Sequence, residues 1–343
     1  MDALVAQRLT SRSLGAWFAA IGVVATAIAI ARIDAKGLER IHRLPTPVLA
    51  VPDRTSLALA GGKLGKLNVR AKVLETRALP TSSPVISIAP WDGKLAVASF
   101  DDGAWILDGD AALPLALGTA VNDLAAGPDG WLFAATNDGA FRVSRAGTVE
   151  KLADGVFSAV AIWRGQPYFA SAHGLATIDA QGFITYGAER GLVPERPDAL
   201  AACGSVLCVA AEDGLWLFDG ASTTRRSSGS GDLTSDAVTA VAFDGTSIFA
   251  GSFDAGFAQL GSHARRMAPA DGIADGRINP RALVSWNGLF LAGTPTGLAV
   301  VRGDSAGHVT NLPTKEITSV ATTSTAVWVG YRGGLARIQL EVS

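Results

Sequence analysis

The chain has 343 residues, 48% of them hydrophobic and 17% charged, and a formal net charge of -2. That hydrophobic share is enough for a large buried core and is incompatible with a mainly disordered chain. A near-neutral balance supplies no basic surface to neutralise phosphates, so no nucleic-acid partner is expected.

Residues 1–13 read as a short N-terminal tail carrying Arg8 and Arg12. The run from Leu14 to Ala31 is uncharged over 18 residues, and as a helix it reaches about 27 Å. It is read as a transmembrane helix or signal anchor. The alternative is a cleaved signal peptide with Ala27-Ile28-Ala29 or Ala29-Ile30-Ala31 at the cleavage site, which leaves a secreted or periplasmic protein. The run is long for a signal-peptide core, which favours the anchor, and Gly15/Ala19 and Gly22/Thr26 place small residues four apart along it. Arg32, Lys36, Arg40 and Arg43 follow the helix, but long domains translocate largely regardless of flanking charge. The expectation is a single-pass inner-membrane protein with its main domain in the periplasm. Residues 32–37 are a tether.

From residue 38 onward one unit recurs: a short apolar run, a polar turn ending in glycine, then an alternating run. Its clearest copy is Val209-Ala210-Ala211-Glu212-Asp213-Gly214-Leu215-Trp216-Leu217-Phe218, which reads as two antiparallel strands and a tight hairpin. The turn glycines Gly103, Gly139, Gly174, Gly214, Gly256, Gly297 and Gly334 lie 36, 35, 40, 42, 41 and 37 residues apart. A period near 40 with four short strands per unit predicts an all-β fold, a β-propeller spanning 38–343. Ala58 to Leu67 aligns without gaps on Ala96 to Trp105, which adds Gly65 as an eighth turn glycine and predicts eight blades. Seven is the alternative, if the first repeat is only a linker and a closing strand.

In one clear repeat the four strands are expected at 238–243, 247–251, 256–260 and 263–267. The last repeat stops after its third strand, Gly334 to Leu340, so a fourth must come from elsewhere; Leu38 to Leu44 is the expected donor. Closing the ring in this way removes an exposed sheet edge. Trp105, Trp131, Trp163, Trp216, Trp286 and Trp328 sit at alternating strand positions and are read as packing between blades.

The repeat pattern, closest to type at Ala282-Leu283-Val284-Ser285-Trp286-Asn287-Gly288-Leu289-Phe290-Leu291-Ala292-Gly293-Thr294-Pro295-Thr296-Gly297-Leu298 and at Val327 to Leu335, resembles the two-component-regulator propeller repeats of extracytoplasmic sensor regions. The resemblance covers about residues 38 to 341 and implies a sensory or protein-binding role. No kinase, cyclase or DNA-binding segment accompanies it.

Catalysis is not expected. The four histidines His42, His173, His263 and His308 fall in different repeats without ligand spacing, so neither a metal nor a cofactor site is indicated. Asp101, Asp138 and Asp213 occupy similar turn positions and are read as turn stabilisers. Cys203 and Cys208 flank a predicted hairpin, where they are either a disulfide in an oxidising compartment or two buried small hydrophobes. The expected function is therefore a membrane-anchored scaffold binding a protein partner in a membrane complex. The alternatives are a glycan or peptide hydrolase or lyase at the propeller centre, or an assembly factor for outer-membrane proteins.

The expected binding face is the one shared by the turns between second and third strands and by the long connections between blades, because loops carry function more often than the scaffold beneath them. The turns contribute Phe100, Asp101, Asn137, His173, Glu212, Phe253, Tyr331 and Arg332. The connections contribute Arg277, together with Arg190, Arg196, Arg225, Arg226, Arg265 and Arg266. Exposed aromatics beside arginines are the residue types that anchor protein interfaces.

Overall fold

The computed structural model describes residues 64–342, except 119, 180–181, 188–192, 195, 262–263 and 268–275. The expected tail, membrane helix, tether and strand over 38–44 lie outside the described residues, as do His263 and Arg190. No helix among the described residues is long and apolar enough to cross a membrane.

Two strands, β1 (Gly65–Lys66) and β2 (Val69–Ala78), precede the first blade. Blade 1 comprises β3 (Val85–Trp91), β4 (Lys94–Ser99), β5 (Ala104–Asp108) and β6 (Ala111–Leu115). Blade 2 comprises β7 (Val121–Ala126), β8 (Leu132–Thr136), β9 (Ala140–Val143) and β10 (Val149–Ala153). Blade 3 comprises β11 (Phe157–Trp163), β12 (Gln166–Ser171), β13 (Gly174–Asp179) and β14 (Gly182–Gly187). Blade 4 comprises β15 (Ala199–Cys203), β16 (Val206–Ala211), β17 (Gly214–Phe218) and β18 (Thr223–Arg226). Blade 5 comprises β19 (Val238–Phe243), β20 (Ile248–Ser252), β21 (Phe257–Leu260) and β22 (Arg265–Met267), within two residues of the limits expected from the sequence. Blade 6 comprises β23 (Leu283–Trp286), β24 (Leu289–Thr294), β25 (Gly297–Arg302) and β26 (Ser305–Thr310). Blade 7 has β27 (Ser319–Thr322), β28 (Val327–Tyr331) and β29 (Gly334–Val342), and takes β2 as its outer strand.

The closing strand is the decisive departure from expectation. β2 pairs antiparallel with β29 from Val69↔Val342 to Ala78↔Gly334, with one bulge between Val73 and Glu75. This covers the open edge of the third strand of blade 7 and satisfies its backbone groups. Once β2 is spent in this way, residues 64–84 cannot form an eighth blade. Gly65 is not a turn glycine; it begins β1, which runs parallel to β26 on the outside of blade 6. Among the described residues the blade strands thus group into seven sets of four, five as separate sheets and two joined through β2 in one larger sheet.

Seven apolar clusters join these sets, each shared by two neighbouring blades. Strand β4 shows how. Its alternate residues Ala96 and Ala98 face blade 2, in a cluster with Val121, Leu124 and Leu132. Leu95 and Val97 face blade 7, with Ala321, Trp328 and Leu335. A strand buried on both faces is apolar along its length, and β4 is buried and apolar from Leu95 to Ala98. All six expected packing tryptophans belong to these clusters, as buried members or packed against them. Two of them also donate their indole N–H to the neighbouring blade's first turn: Trp163 to the Gly204 carbonyl at 3.1 Å and Trp286 to the Thr323 carbonyl at 2.7 Å. Trp91 does the same with the Gly130 carbonyl at 2.9 Å.

Candidate functional site

The turns between second and third strands are stapled by hydroxyls. Thr136 Oγ1 donates to the Gly139 carbonyl at 2.9 Å and accepts from the Asp138 N–H at 3.0 Å. Ser171, Ser252 and Thr294 repeat this pair of bonds with Gly174, Gly256 and Gly297. The Ser and Thr side chains that end the second strands thus do the work expected of the turn aspartates. Asp213 differs, since its Oδ1 accepts the Trp216 indole N–H at 3.0 Å.

These turns do share a face with the blade connections. The N–H of Phe100 donates to the Pro84 carbonyl, that of Asn137 to the Ala120 carbonyl and that of Phe253 to the Ala237 carbonyl, each at 3.0 Å. Phe100 and Phe253 are each 57% exposed, the strongest apolar protrusions of this face. They stand on blades 1 and 5, three steps apart around the ring, so they do not form one patch. The expected residues instead fall into three groups. Phe100 and Asp101 adjoin Arg332, which bridges to Pro84 and donates to the Ser82 carbonyl at 3.2 Å. Phe253 lies near Arg277, because the Gly256 N–H donates to the Gly276 carbonyl. Glu212 falls within electrostatic reach of Asp198.

Several members behave differently from expectation. Tyr331 is partly buried and packs against the core between blades 6 and 7, and burial pushes its phenol above the usual tyrosine range. Asn137 is engaged by the Asn122 amide at 2.8 Å, while His173 is exposed on its turn. Arg265 is at the opposite end of the ring, where it pairs with Asp304 in the β25–β26 turn. Arg225 holds the Asp213 carbonyl and lies over the Trp216 ring. Cys203 and Cys208 are joined as a disulfide across the β15–β16 hairpin, at a Cα–Cα distance of 5.9 Å.

At the centre of this face a group emerges that no motif announced. The inner strands of blades 1, 2, 3 and 5 each carry a bulge near their start. Polar side chains there form a belt passing from blade to blade. Asn122 donates to the Phe157 carbonyl at 2.7 Å, Ser158 to the Pro197 carbonyl and Thr239 to the Ile278 carbonyl at 3.0 Å. Asn279 then donates to the Ile317 carbonyl and Thr318 to the Val85 carbonyl, both at 2.6 Å. Between blades 1 and 2 the link is Ser87 Oγ to Asp123 Oδ1 at 2.9 Å.

Asp123 is the hub. Besides Ser87, it accepts the Leu124 N–H at 2.9 Å and, from blade 3, the Val160 N–H at 3.1 Å. Burial is the largest influence on its carboxyl and pushes it above the usual carboxylate range, against the pull of Arg281 and of those hydrogen bonds. The inner strand of blade 4, Ala199-Leu200-Ala201-Ala202-Cys203, has no side chain for the belt. There the carbonyl at its entry, that of Asp198, accepts Nη1 of Arg281 at 2.9 Å.

Arg281 enters from the connection before blade 6, in a left-handed backbone conformation (φ 59°), with its N–H bonded to the Thr239 carbonyl. Its Nη1 also reaches the Ser158 carbonyl of blade 3 at 3.3 Å, so the guanidinium crosses the channel mouth. Its Nε is buried and has no hydrogen-bond partner among the described residues. Asp198 is raised above the carboxylate range first by burial and then by Glu212, with Arg281 opposing. Among the described residues no group of three or more His, Cys, Asp or Glu side chains is placed to hold a metal ion.

This architecture defines the chain as a β-propeller. No family model matches it, and no curated protein matches its sequence. Among solved structures, the extracellular domain of a putative hybrid two-component system from B. thetaiotaomicron aligns with TM-score 0.64 and 16% identity, over 78% of this chain and 39% of that one. A catalytically inactive virginiamycin B lyase from Staphylococcus aureus, with quinupristin, aligns with TM-score 0.63 and 10% identity over 79% of this chain and 99% of that one. The Neurospora crassa Pan2 WD40 domain aligns with TM-score 0.60 and 9% identity, over 80% and 97%. At these identities the likeness is one of fold. The chain spans about two fifths of the length of the sensor domain. The resemblance to two-component-regulator propellers thus holds at the level of structure.

Proposed function

We propose that this protein is a cell-envelope binding scaffold of the sensory type, anchored by residues 14–31, with the propeller in the periplasm and its connection face engaging a protein partner. The observation that carries this reading is the exposure of Phe100 and Phe253 on that face: large apolar side chains raised on stapled, rigid turns. The sensor-domain neighbour supports a sensory role, and the Cys203–Cys208 disulfide suits an oxidising compartment. Binding is preferred to catalysis because the polar side chains at the channel mouth are largely committed to backbone groups of the next blade. The test is affinity capture with the full chain from detergent-solubilised membranes. Phe253→Ala and Arg277→Ala weaken capture while the melting temperature holds; undiminished capture by both, with sensitivity on the Arg265 side instead, would overturn the choice of face.

A further inference from the structure

From the channel mouth we infer a binding site for a small zwitterion, a free α-amino acid or the termini of a short peptide, with Arg281 holding its carboxylate and the Asp198–Glu212 pair its ammonium group. The site lies on the proposed binding face and rests on the reading of that face as a binding surface.

Arg281 carries the inference. A guanidinium offers two edges that grip a carboxylate with parallel hydrogen bonds, and the side edge is formed by Nε and Nη2. Here Nη1 is committed to the carbonyls of Ser158 and Asp198, which fixes the plane of the group. Nε is buried without an acceptor, and no described residue accepts from Nη2. A buried donor left without a partner costs on the order of 1–3 kcal/mol, so such an atom points to an acceptor that completes the site. Asp123 feels the charge of Arg281 but does not fill that role, since it accepts from Ser87, Leu124 and Val160 and takes no bond from Nε.

The second half of the site is the charge around it. Glu212 lies close enough to Asp198 to disfavour its ionisation, and neither forms an ion pair among the described residues. Arg281 gives its Nη1 to the carbonyl of Asp198 rather than to a carboxylate, and its charge draws the Asp198 carboxyl down less than burial and Glu212 push it up. A simple anion would gain the fork but meet the two acids. A simple cation would gain the acids but meet the guanidinium. A ligand carrying both charges a few ångströms apart satisfies both halves. Asp198 and Arg281 are partly exposed and Glu212 is exposed, so the site opens to solvent.

The experiment is calorimetric titration of the purified full chain in detergent. The probes are the standard free L-amino acids, each alone, and L-alanyl-L-alanine, with the N-acetylated and C-amidated forms of whichever bind. At least one zwitterion binds, and removing either of its charges weakens binding about tenfold or more. Arg281→Lys, which keeps the charge but loses the planar fork, weakens it similarly. Glu212→Gln, at an exposed position that does not endanger folding, weakens the zwitterion but not its N-acetylated form. Absence of binding by every probe overturns the inference, as does equal affinity for zwitterion and N-acetylated ligand or an Arg281→Lys protein that is folded and binds normally. Partner capture, measured in parallel, separates the two levels. Capture retained without zwitterion binding removes only this site, whereas loss of face-dependent capture removes the scaffold reading itself.

Discussion

Asp123 offers the sharpest test of how this ring is held, because one carboxylate joins the inner strands of blades 1, 2 and 3. In an Asp123→Ala variant the Ser87 hydroxyl can turn elsewhere, and the Leu124 N–H keeps Ser87 Oγ at 3.1 Å. The Val160 N–H has no such substitute. Leaving it buried and unsatisfied costs about 1–3 kcal/mol, and the lost bonds to a charged acceptor bring the total to about 2–4 kcal/mol. For a domain of this size that lowers the melting temperature by about 3–7 °C.

Asp123→Asn separates hydrogen bonding from charge. Burial raises the folded-state pKa of Asp123 above its unfolded value. Between those two values the folded state holds more protons than the unfolded one, so stability is greatest below the unfolded pKa and falls as pH rises through the window, with a constant deficit above it. The asparagine variant cannot titrate and lacks that fall, so its melting temperature gains on the wild type as pH rises from the ordinary carboxylate range toward neutrality. Thermal unfolding followed by circular dichroism across that range reads both effects. A wild-type and Asp123→Ala pair with equal melting temperatures, or a wild-type to asparagine difference independent of pH, would refute the role given to this carboxylate.

Other consequences are equally measurable. The Cys203–Cys208 link closes a short loop, and the chain-entropy estimate assigns it about 2 kcal/mol; the double alanine variant should melt several degrees lower, whereas an unchanged melting temperature would argue against the crosslink. Trp163→Phe keeps the ring among its neighbours but loses the bond to the Gly204 carbonyl, and denaturant titration should show a loss of about 1–2 kcal/mol. At Gly214 (φ 136°) an added Cβ would lie 2.4 Å from the Arg226 carbonyl oxygen, while at Gly93 (φ 77°) it would meet nothing within 4 Å. Gly214→Ala should therefore cost at least about 2 kcal/mol and Gly93→Ala about 1 kcal/mol; equal losses would show that backbone conformation, not the close approach, governs both.

What the sequence determined alone was whatever repeats locally. Alternating apolar runs and turn glycines near a 40-residue period report strand pairing between neighbours in the chain, and such hairpins need no distant partner to be specified. The packing role of the tryptophans followed from the same alternation. The number of blades did not, because 38–52 and 74–88 carry nearly the same pattern, so that the stretch before residue 74 reads either as a first repeat or as a linker and a closing strand. Only the completed ring selects the residues from Val69 to Ala78, whose ladder with β29 covers the last open edge. Asp123 left a trace in the sequence, an acid inside the otherwise apolar strand Val121-Asn122-Asp123-Leu124-Ala125-Ala126, although its partners lie 36 and 37 residues away in other blades. Arg281 left none. It sits in a long connection among other polar residues, and the carbonyls that orient it are 83 and 123 residues distant. A site built from single residues of several blades has no period and no spacing to read, and it exists only once closure of the ring brings those strands around one axis.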